Sequence, residues 1–338
     1  MISLTLSASA LRQSCSGALR RVRVRVRLPT PASALGSSRR LLAASLQSSS
    51  SPISTVSLAY DLHEPPKPVV DKQTSPIIFM HGLFGSKKNN RTISKVLARD
   101  LGRHIYAVDL RNHGDSPHDQ RHDYLAMAAD VADFIRQHGL KEPTLIGHSM
   151  GAKTAMVLAL QEPNLVANMV AVDNAPVDAR LSSEFPRYIQ GMKKIDEAGV
   201  TRQAEADRIL EEYEKNFTIR QFLLGNLHRP DGSATQKFRV PLHILGKALD
   251  HLGDFPLKHP SAVLGDFHFK NPSEVRFAKP SLFIRGTQST YVPDEVIPLI
   301  GHFFPMFELV DIDAGHWVIS EKPEEFRQAV VRFLEPKE

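Results

Sequence analysis

Apolar residues along this chain fall into two alternating patterns. Short runs that are apolar nearly throughout ("PIIFMHG", "IYAVDLRNHG", "PTLIGHS", "NMVAVDNAP", "PSLFIRG" and "FELVDID") are separated by longer amphipathic stretches. Among the latter are "TISKVLARDL", "YLAMAADVADFIRQHG" and "AKTAMVLALQEP", with "PEEFRQAVVRFL" near the end and Pro323 in its first turn. Strands without a polar face, alternating with helices, predict an α/β architecture: a mostly parallel central sheet with helices on both faces. Ahead of these, "STVSLAYDLHEP" alternates apolar and polar residues as a half-buried edge strand does, and "PPKP" and "DKQTSP" then break the chain.

The alternation stops between Pro176 and about Pro272. That stretch reads as helices ("EFPRYIQGMKKIDEAG", "QAEADRILEEYEKNF", "IRQFLLGNL") joined by loops rich in Gly, Pro and His. It predicts a helical cap inserted into the sheet rather than a separate domain. The expected organisation is a leader over 1–52, the first part of the core over 53–176, the cap over 177–272 and the second part of the core over 273–338.

Charge sharpens the first boundary. Residues 1–60 hold eight arginines (Arg12, Arg20, Arg21, Arg23, Arg25, Arg27, Arg39 and Arg40) and many serines, and the first acid is Asp61. Such a composition predicts a disordered transit segment, with a mitochondrial address and the matrix as the expected compartment. "RVRVRVR" alternates like a strand, but its Ser- and Pro-rich flanks argue against an ordered sheet there. The rest of the chain carries 34 Lys and Arg against 37 Asp and Glu, a balance that argues against a nucleic-acid surface. No apolar run approaches the roughly 18 residues of a membrane-spanning helix. The single cysteine, Cys15, lies in the leader, so disulfides, thiol catalysis and cysteine–metal sites are not expected of the mature protein.

Against this background "LIGHSMG" carries chemistry. Gly147-His148-Ser149-Met150-Gly151 follows an apolar strand and opens a helix, the setting that makes G-x-S-x-G a nucleophile elbow. "HGLFGS" follows an earlier strand and offers backbone N–H groups for an oxyanion. Leu83 and Met150 are the expected donors, with Phe84 a further candidate. In "DAGHWVISEKPEEF", His316 follows the last strand and is the candidate base. His148 is a poor rival because adjacent side chains diverge on a sharp turn, and His81, His104 and His113 are expected to be structural.

From about Val56 onward the chain resembles the α/β-hydrolase superfamily. More narrowly, "HGLFGS", "VDLRNHGDSPH", "GHSMG", "IRQFLLGNL" and "AGHW" resemble a subfamily of mitochondrial α/β-hydrolase domain proteins, small bacterial esterases and fungal ethanol acetyltransferases. The resemblance implies an α/β-hydrolase fold with the triad order Ser, acid, His. Most of the superfamily places its acid after the strand matching "PSLFIRG", as G-x-x-D, but that pattern here ends on Ser289, which cannot carry charge. Asp173 in "VAVDNAP", at the adjacent strand end, is the expected replacement, and the resemblance supports an acid there. Asp294 is the alternative acid, better placed to cap a helix, and Asp109 a third candidate that fits a structural loop.

These residues predict acyl transfer through a serine acyl-enzyme on an ester or thioester, with no metal or redox cofactor. Release to water makes an esterase and release to an alcohol a new ester; for the latter the resemblance implies an alcohol acetyltransferase with acetyl-CoA as donor, producing ethyl acetate from ethanol. Phe185, Tyr188, Phe222, Leu223 and Leu224 are candidates to line the alcohol site. A catalytically silent hydrolase fold that binds a protein partner is the reading from a different class. The expected ligands are small molecules, not nucleic acid.

Overall fold

The computed structural model describes residues 21–22, 53–66, 75–179, 181–257 and 275–335. Most of the 1–52 leader and the expected end of the cap at 272 lie outside them. Six strands run parallel at the centre of the molecule: β3 (Ile77–Met80), β4 (Ile105–Val108), β5 (Thr144–His148), β6 (Asn168–Val172), β9 (Ser281–Gly286) and β10 (Phe307–Ile312). They correspond to the six apolar runs of the sequence. An antiparallel strand, β2 (Tyr60–His63), closes one edge beside β4, and the two-residue β1 (Arg21–Val22) lies antiparallel to β10 at the other. Of "RVRVRVR", Arg21 and Val22 are described, and the edge of β10 supplies the partner that the local sequence lacks.

From edge to edge the order is β1-β10-β9-β6-β5-β3-β4-β2. The chain reverses direction across the sheet around β3 and β5, and at such a point the loops on the carboxyl edge diverge and leave a crevice. Successive residues of β3 face opposite layers. Ile78 and Met80 join the cluster with Met127, Val131, Met156 and Leu158 of α2 (Tyr124–Gln137) and α3 (Met150–Gln161). Ile77 and Phe79 join Leu97, Phe326 and Val330 of α1 (Arg91–Leu101) and α10 (Pro323–Leu334). Helix α3 is buried from Met150 to Leu160, as its apolar sequence requires of a central helix.

Between β6 and β9 lie α4 (Glu184–Ala198), α5 (Gln203–Leu210), α6 (Phe217–Leu224), a hairpin of β7 (Leu227–His228) and β8 (Lys237–Phe238), and α7 (Leu242–Leu252). Phe185, Leu223 and Leu245 from these helices join the same apolar cluster as α2 and α3, so this insertion shares the core of the sheet. The hairpin and α7 fall where the sequence reads as loop. Pro241 stands just before α7 as its N-cap residue rather than inside it, and Gly246 within it costs about 1 kcal/mol against Ala, which burial of Leu242, Leu245 and Leu252 offsets. After β9, α8 (Ile297–Phe303) precedes β10, and a short α9 (Val318–Glu321) precedes α10. No helix among the described residues is long and apolar enough to cross a membrane.

Candidate active site

The elbow after β5 is forced by close backbone contacts. A Cβ at Gly147 would lie 2.2 Å from the Gly151 carbonyl oxygen, and one at Gly151 would lie 2.6 Å from that of Met80. Only glycine lets the chain turn so sharply against its neighbours. Ser149 takes the strain, with φ 52° and ψ −112°, and its N–H is held by Val172 O at 2.9 Å. A non-glycine residue in such a conformation costs on the order of 1–3 kcal/mol and persists only where its surroundings fix it.

Strand order brings the partners to this serine. His316, in the loop after β10, places Nε2 3.0 Å from Ser149 Oγ, and its Nδ1 lies 2.6 Å from Asp173 Oδ2. Asp173 directly follows β6, which lies beside β5, and has no exposed surface and a positive φ of 50°. Facing a carboxylate, Nδ1 carries the proton, which leaves Nε2 free to accept the serine hydroxyl. Asp173 Oδ1 accepts from Gly286 N at 3.1 Å, and Oδ2 also accepts from Ser289 Oγ at 2.5 Å. The serine at the position where the resemblance expects an acid is thus hydrogen-bonded to the carboxylate one strand over.

The other acids are not brought to His316. Asp294 is largely exposed and pairs with Arg285 Nη1 at 2.5 Å, and that guanidinium also holds Asp311. Asp109 is buried against Lys87, accepting from its Nζ at 2.5 Å and its backbone N–H at 2.6 Å. A Cβ at Gly114 would fall 2.1 Å from the Asp109 carboxylate, so that loop closes around the acid.

On the opposite side of β5, the turn after β3 presents Leu83. Among the described residues, neither its N–H nor that of Met150 has a hydrogen-bond acceptor. Phe84 N–H is engaged by His113 Nε2 at 3.1 Å, which removes it as an oxyanion donor. His81 and His113 support this turn as neutral rings: each accepts a backbone N–H at Nε2 and donates from Nδ1 to a carbonyl. Burial lowers the pKa of both.

A family model described as alpha/beta hydrolase fold matches residues 75–323. The chain belongs to the α/β-hydrolase fold family. A probable alcohol acetyltransferase of Saccharomyces cerevisiae is 42% identical over 79% of this chain and 79% of its own length. The sn-1-specific diacylglycerol lipase ABHD11 of Xenopus tropicalis is 39% identical over 83% of this chain and 82% of its own. Among solved structures, a marine microorganism esterase superposes with a TM-score of 0.72 at 29% identity, covering 82% of this chain and all of that one.

Within this α/β-hydrolase, several side chains around the histidine take roles that the sequence motifs alone do not assign. Tyr291 stacks on the His316 ring with centroids 4.3 Å apart and planes 27° from parallel. His148 turns away from Ser149 and reaches the His316 backbone carbonyl at 2.8 Å, which requires Nε2 to be its protonated nitrogen. Burial, then the nearby His316, lowers the His148 pKa to about 4 and keeps it neutral. Trp317 sits between His316 and Phe222 of the cap, with its ring centroid 4.6 Å from that of Phe222.

A pocket of about 190 Å³ opens beside His316, lined by Phe185, Tyr188, Gln288, Tyr291 and Trp317. Phe185 and Tyr188 thus line a cavity next to the imidazole. Leu223 and Leu224 do not: both are buried in the core. Consecutive helical residues point about 100° apart, so 222, 223 and 224 cannot all face one cavity. Among the described residues no group of three or more His, Asp, Glu or Cys side chains is placed to hold a metal ion.

Proposed function

We propose that this chain is a serine-dependent acyl hydrolase that works through an acyl-enzyme, with Ser149 as nucleophile, His316 as base and Asp173 as its orienting acid. The supporting observation is the continuous hydrogen-bonded path from Ser149 Oγ through the imidazole to a buried carboxylate. His316 Nε2 takes the hydroxyl proton as Oγ bonds to the carbonyl carbon of an ester or thioester. The Leu83 and Met150 N–H groups receive the oxyanion. As the carbonyl re-forms, the bond to the leaving alkoxide or thiolate breaks and His316 returns the proton to it. Water then repeats the sequence on the acyl-enzyme, releasing the acid and restoring Ser149.

The pocket beside His316 fits the leaving group, because the imidazole must reach that atom to protonate it. By microscopic reversibility an alcohol bound there could attack the acyl-enzyme. The 42% identity to a probable alcohol acetyltransferase and the aromatic lining favour this as the second reading, with acetyl-CoA as donor. The assembled path argues against a silent scaffold that binds a protein partner. The acid-free, arginine-rich leader supports delivery to the mitochondrial matrix, which imaging of the full chain against one lacking residues 1–52 tests.

Labelling by a fluorophosphonate, lost in Ser149→Ala, tests the serine assignment. Incubation with an acetyl ester or acetyl-CoA, with and without ethanol, separates the two readings. Free acid alone supports the hydrolase, and ethyl acetate formed from either donor supports the transferase.

A further inference from the structure

The motif "IRQFLLGNL", Ile219–Leu227, lies in the cap yet touches the core at both ends of the site. Phe222 packs on Trp317 beside His316, and Asn226, four residues on, is buried with its Nδ2 donating to Phe84 O at 2.7 Å. Phe84 belongs to the turn that presents Leu83, which closes through Gly85 N–H to Gly82 O at 2.9 Å. It is the third residue of that turn and has φ 61°, a place where glycine is the usual choice. A phenylalanine stays there only if neighbours hold the backbone on either side of it. His113 from the core takes its N–H, and Asn226 from the cap takes its carbonyl.

The consequence reaches the Leu83 N–H. That group shares a peptide plane with the Gly82 carbonyl, which accepts from Gly85 N–H and from His81 Nδ1 at 2.8 Å. The first of these bonds exists only while the turn keeps its shape. Asn226 is itself fixed by the cap. Its Nδ2 also donates to Leu223 O at 3.2 Å in α6, and Arg220, buried in that helix, pairs with Asp207 at 2.8 Å and donates to the Glu214 and Lys215 carbonyls.

We propose that Asn226 is a positioning residue through which the cap holds the oxyanion turn. This rests on the serine-hydrolase reading above, in which Leu83 N–H receives the oxyanion. The cap is then part of the machinery for transition-state stabilisation as well as a wall of the pocket.

The test is turnover of 4-nitrophenyl acetate by Asn226→Ala and by the isosteric Asn226→Asp, which keeps the packing but has no side-chain donor. Arg239→Ala is the control, because it cuts another cap-to-core contact, the 2.9 Å side-chain ion pair with Asp115, while its backbone N–H bond to Asn226 O is kept. Both Asn226 variants should lose about 10- to 100-fold in kcat, the scale of a misplaced or lost oxyanion donor. KM should stay within about twofold, and the inhibition constant of a trifluoromethyl ketone should rise in parallel with the loss of kcat. Arg239→Ala should keep kcat within about twofold of the parent. Unchanged kcat in both Asn226 variants, a loss confined to KM, or an equal loss in Arg239→Ala overturns the proposal. Full turnover by Ser149→Ala would instead reject the serine reading, and this inference with it.

Discussion

Ser289 Oγ lies 2.5 Å from Asp173 Oδ2, the same oxygen that faces His316 Nδ1 at 2.6 Å. Strands β6 and β9 are neighbours in register, with Val172 opposite Ile284, so residues just beyond their ends meet, Ser289 at the carboxylate and the carboxylate at the imidazole. The carboxylate has moved by one strand, and a hydroxyl stands where the resemblance expects the acid. Asp173→Asn should therefore lower kcat/KM by about 10³- to 10⁴-fold, because an amide favours the wrong histidine tautomer. Asp294→Asn, which breaks an exposed ion pair with Arg285, should stay within about threefold. Kinetics on 4-nitrophenyl acetate with both variants decide it, and the reverse ranking would move the acid to Asp294.

Ser289→Ala tests the hydroxyl separately. Removing one charge-assisted hydrogen bond from a buried carboxylate costs about 1.5–3 kcal/mol, or roughly tenfold or more in kcat/KM if it is felt in the transition state. In the Asp173→Asn background, Ser289→Asp should recover at least about tenfold, since it returns a charge to the same ring nitrogen. No recovery would mean that the two strand ends are not interchangeable.

Much of this was legible before the structure, and the reasons are local. The β5–α3 elbow is written in Gly147 and Gly151, whose missing side chains the turn demands, and the six core strands announce themselves because they are buried on both faces. Asp173 was readable only as a strand-end acid among three candidates. Its hydrogen bond to Ser289 spans 116 residues and leaves no local trace. His148 looked redundant beside Ser149, yet its ring reaches the His316 carbonyl across 168 residues. Helix α7 has no clear signal because Pro241, Gly246 and His243 look like loop residues, while its apolar face is completed only by distant residues of the cap and the core.

The buried histidines predict an acid limit to stability. Burial lowers the pKa of His122 to about 3 and of His148 to about 4, and lowers those of His81 and His113, whereas in the unfolded chain each titrates near 6.5. Between those values the unfolded state binds more protons, so their contribution is fully present above about pH 6.5 and is lost as pH falls toward 3. Urea midpoints should be flat from pH 8 to 7 and fall below about 6.5, each histidine adding up to about 1.4 kcal/mol per pH unit. Among the described residues the His122 Nε2 has no hydrogen-bond partner, so His122→Phe should shallow that slope by close to one proton. A midpoint unchanged down to pH 4 would contradict the neutral, buried state of these rings.

If the pocket beside His316 takes the alcohol, as proposed, its size sets which alcohols fit. Phe185 and Tyr188, three residues apart on α4, turn one face toward the cavity, and Tyr188 OH is tied to Glu214 at 2.7 Å. A volume of about 190 Å³ falls below the roughly 300–1,000 Å³ of pockets for drug-sized ligands, which favours a compact leaving group. Tyr188→Ala should enlarge it and raise the kcat/KM ratio of hexyl to ethyl acetate by about tenfold, the scale of one or two accommodated methylenes. Tyr188→Phe, which removes only the bond to Glu214, should leave that ratio within about twofold. Across an acyl series with a fixed alcohol, Tyr188→Ala should change little, because the proposed mechanism turns the acyl carbonyl toward the Leu83 and Met150 N–H groups instead. If the acyl series shifts and the alcohol series does not, the two halves of the substrate bind the other way round.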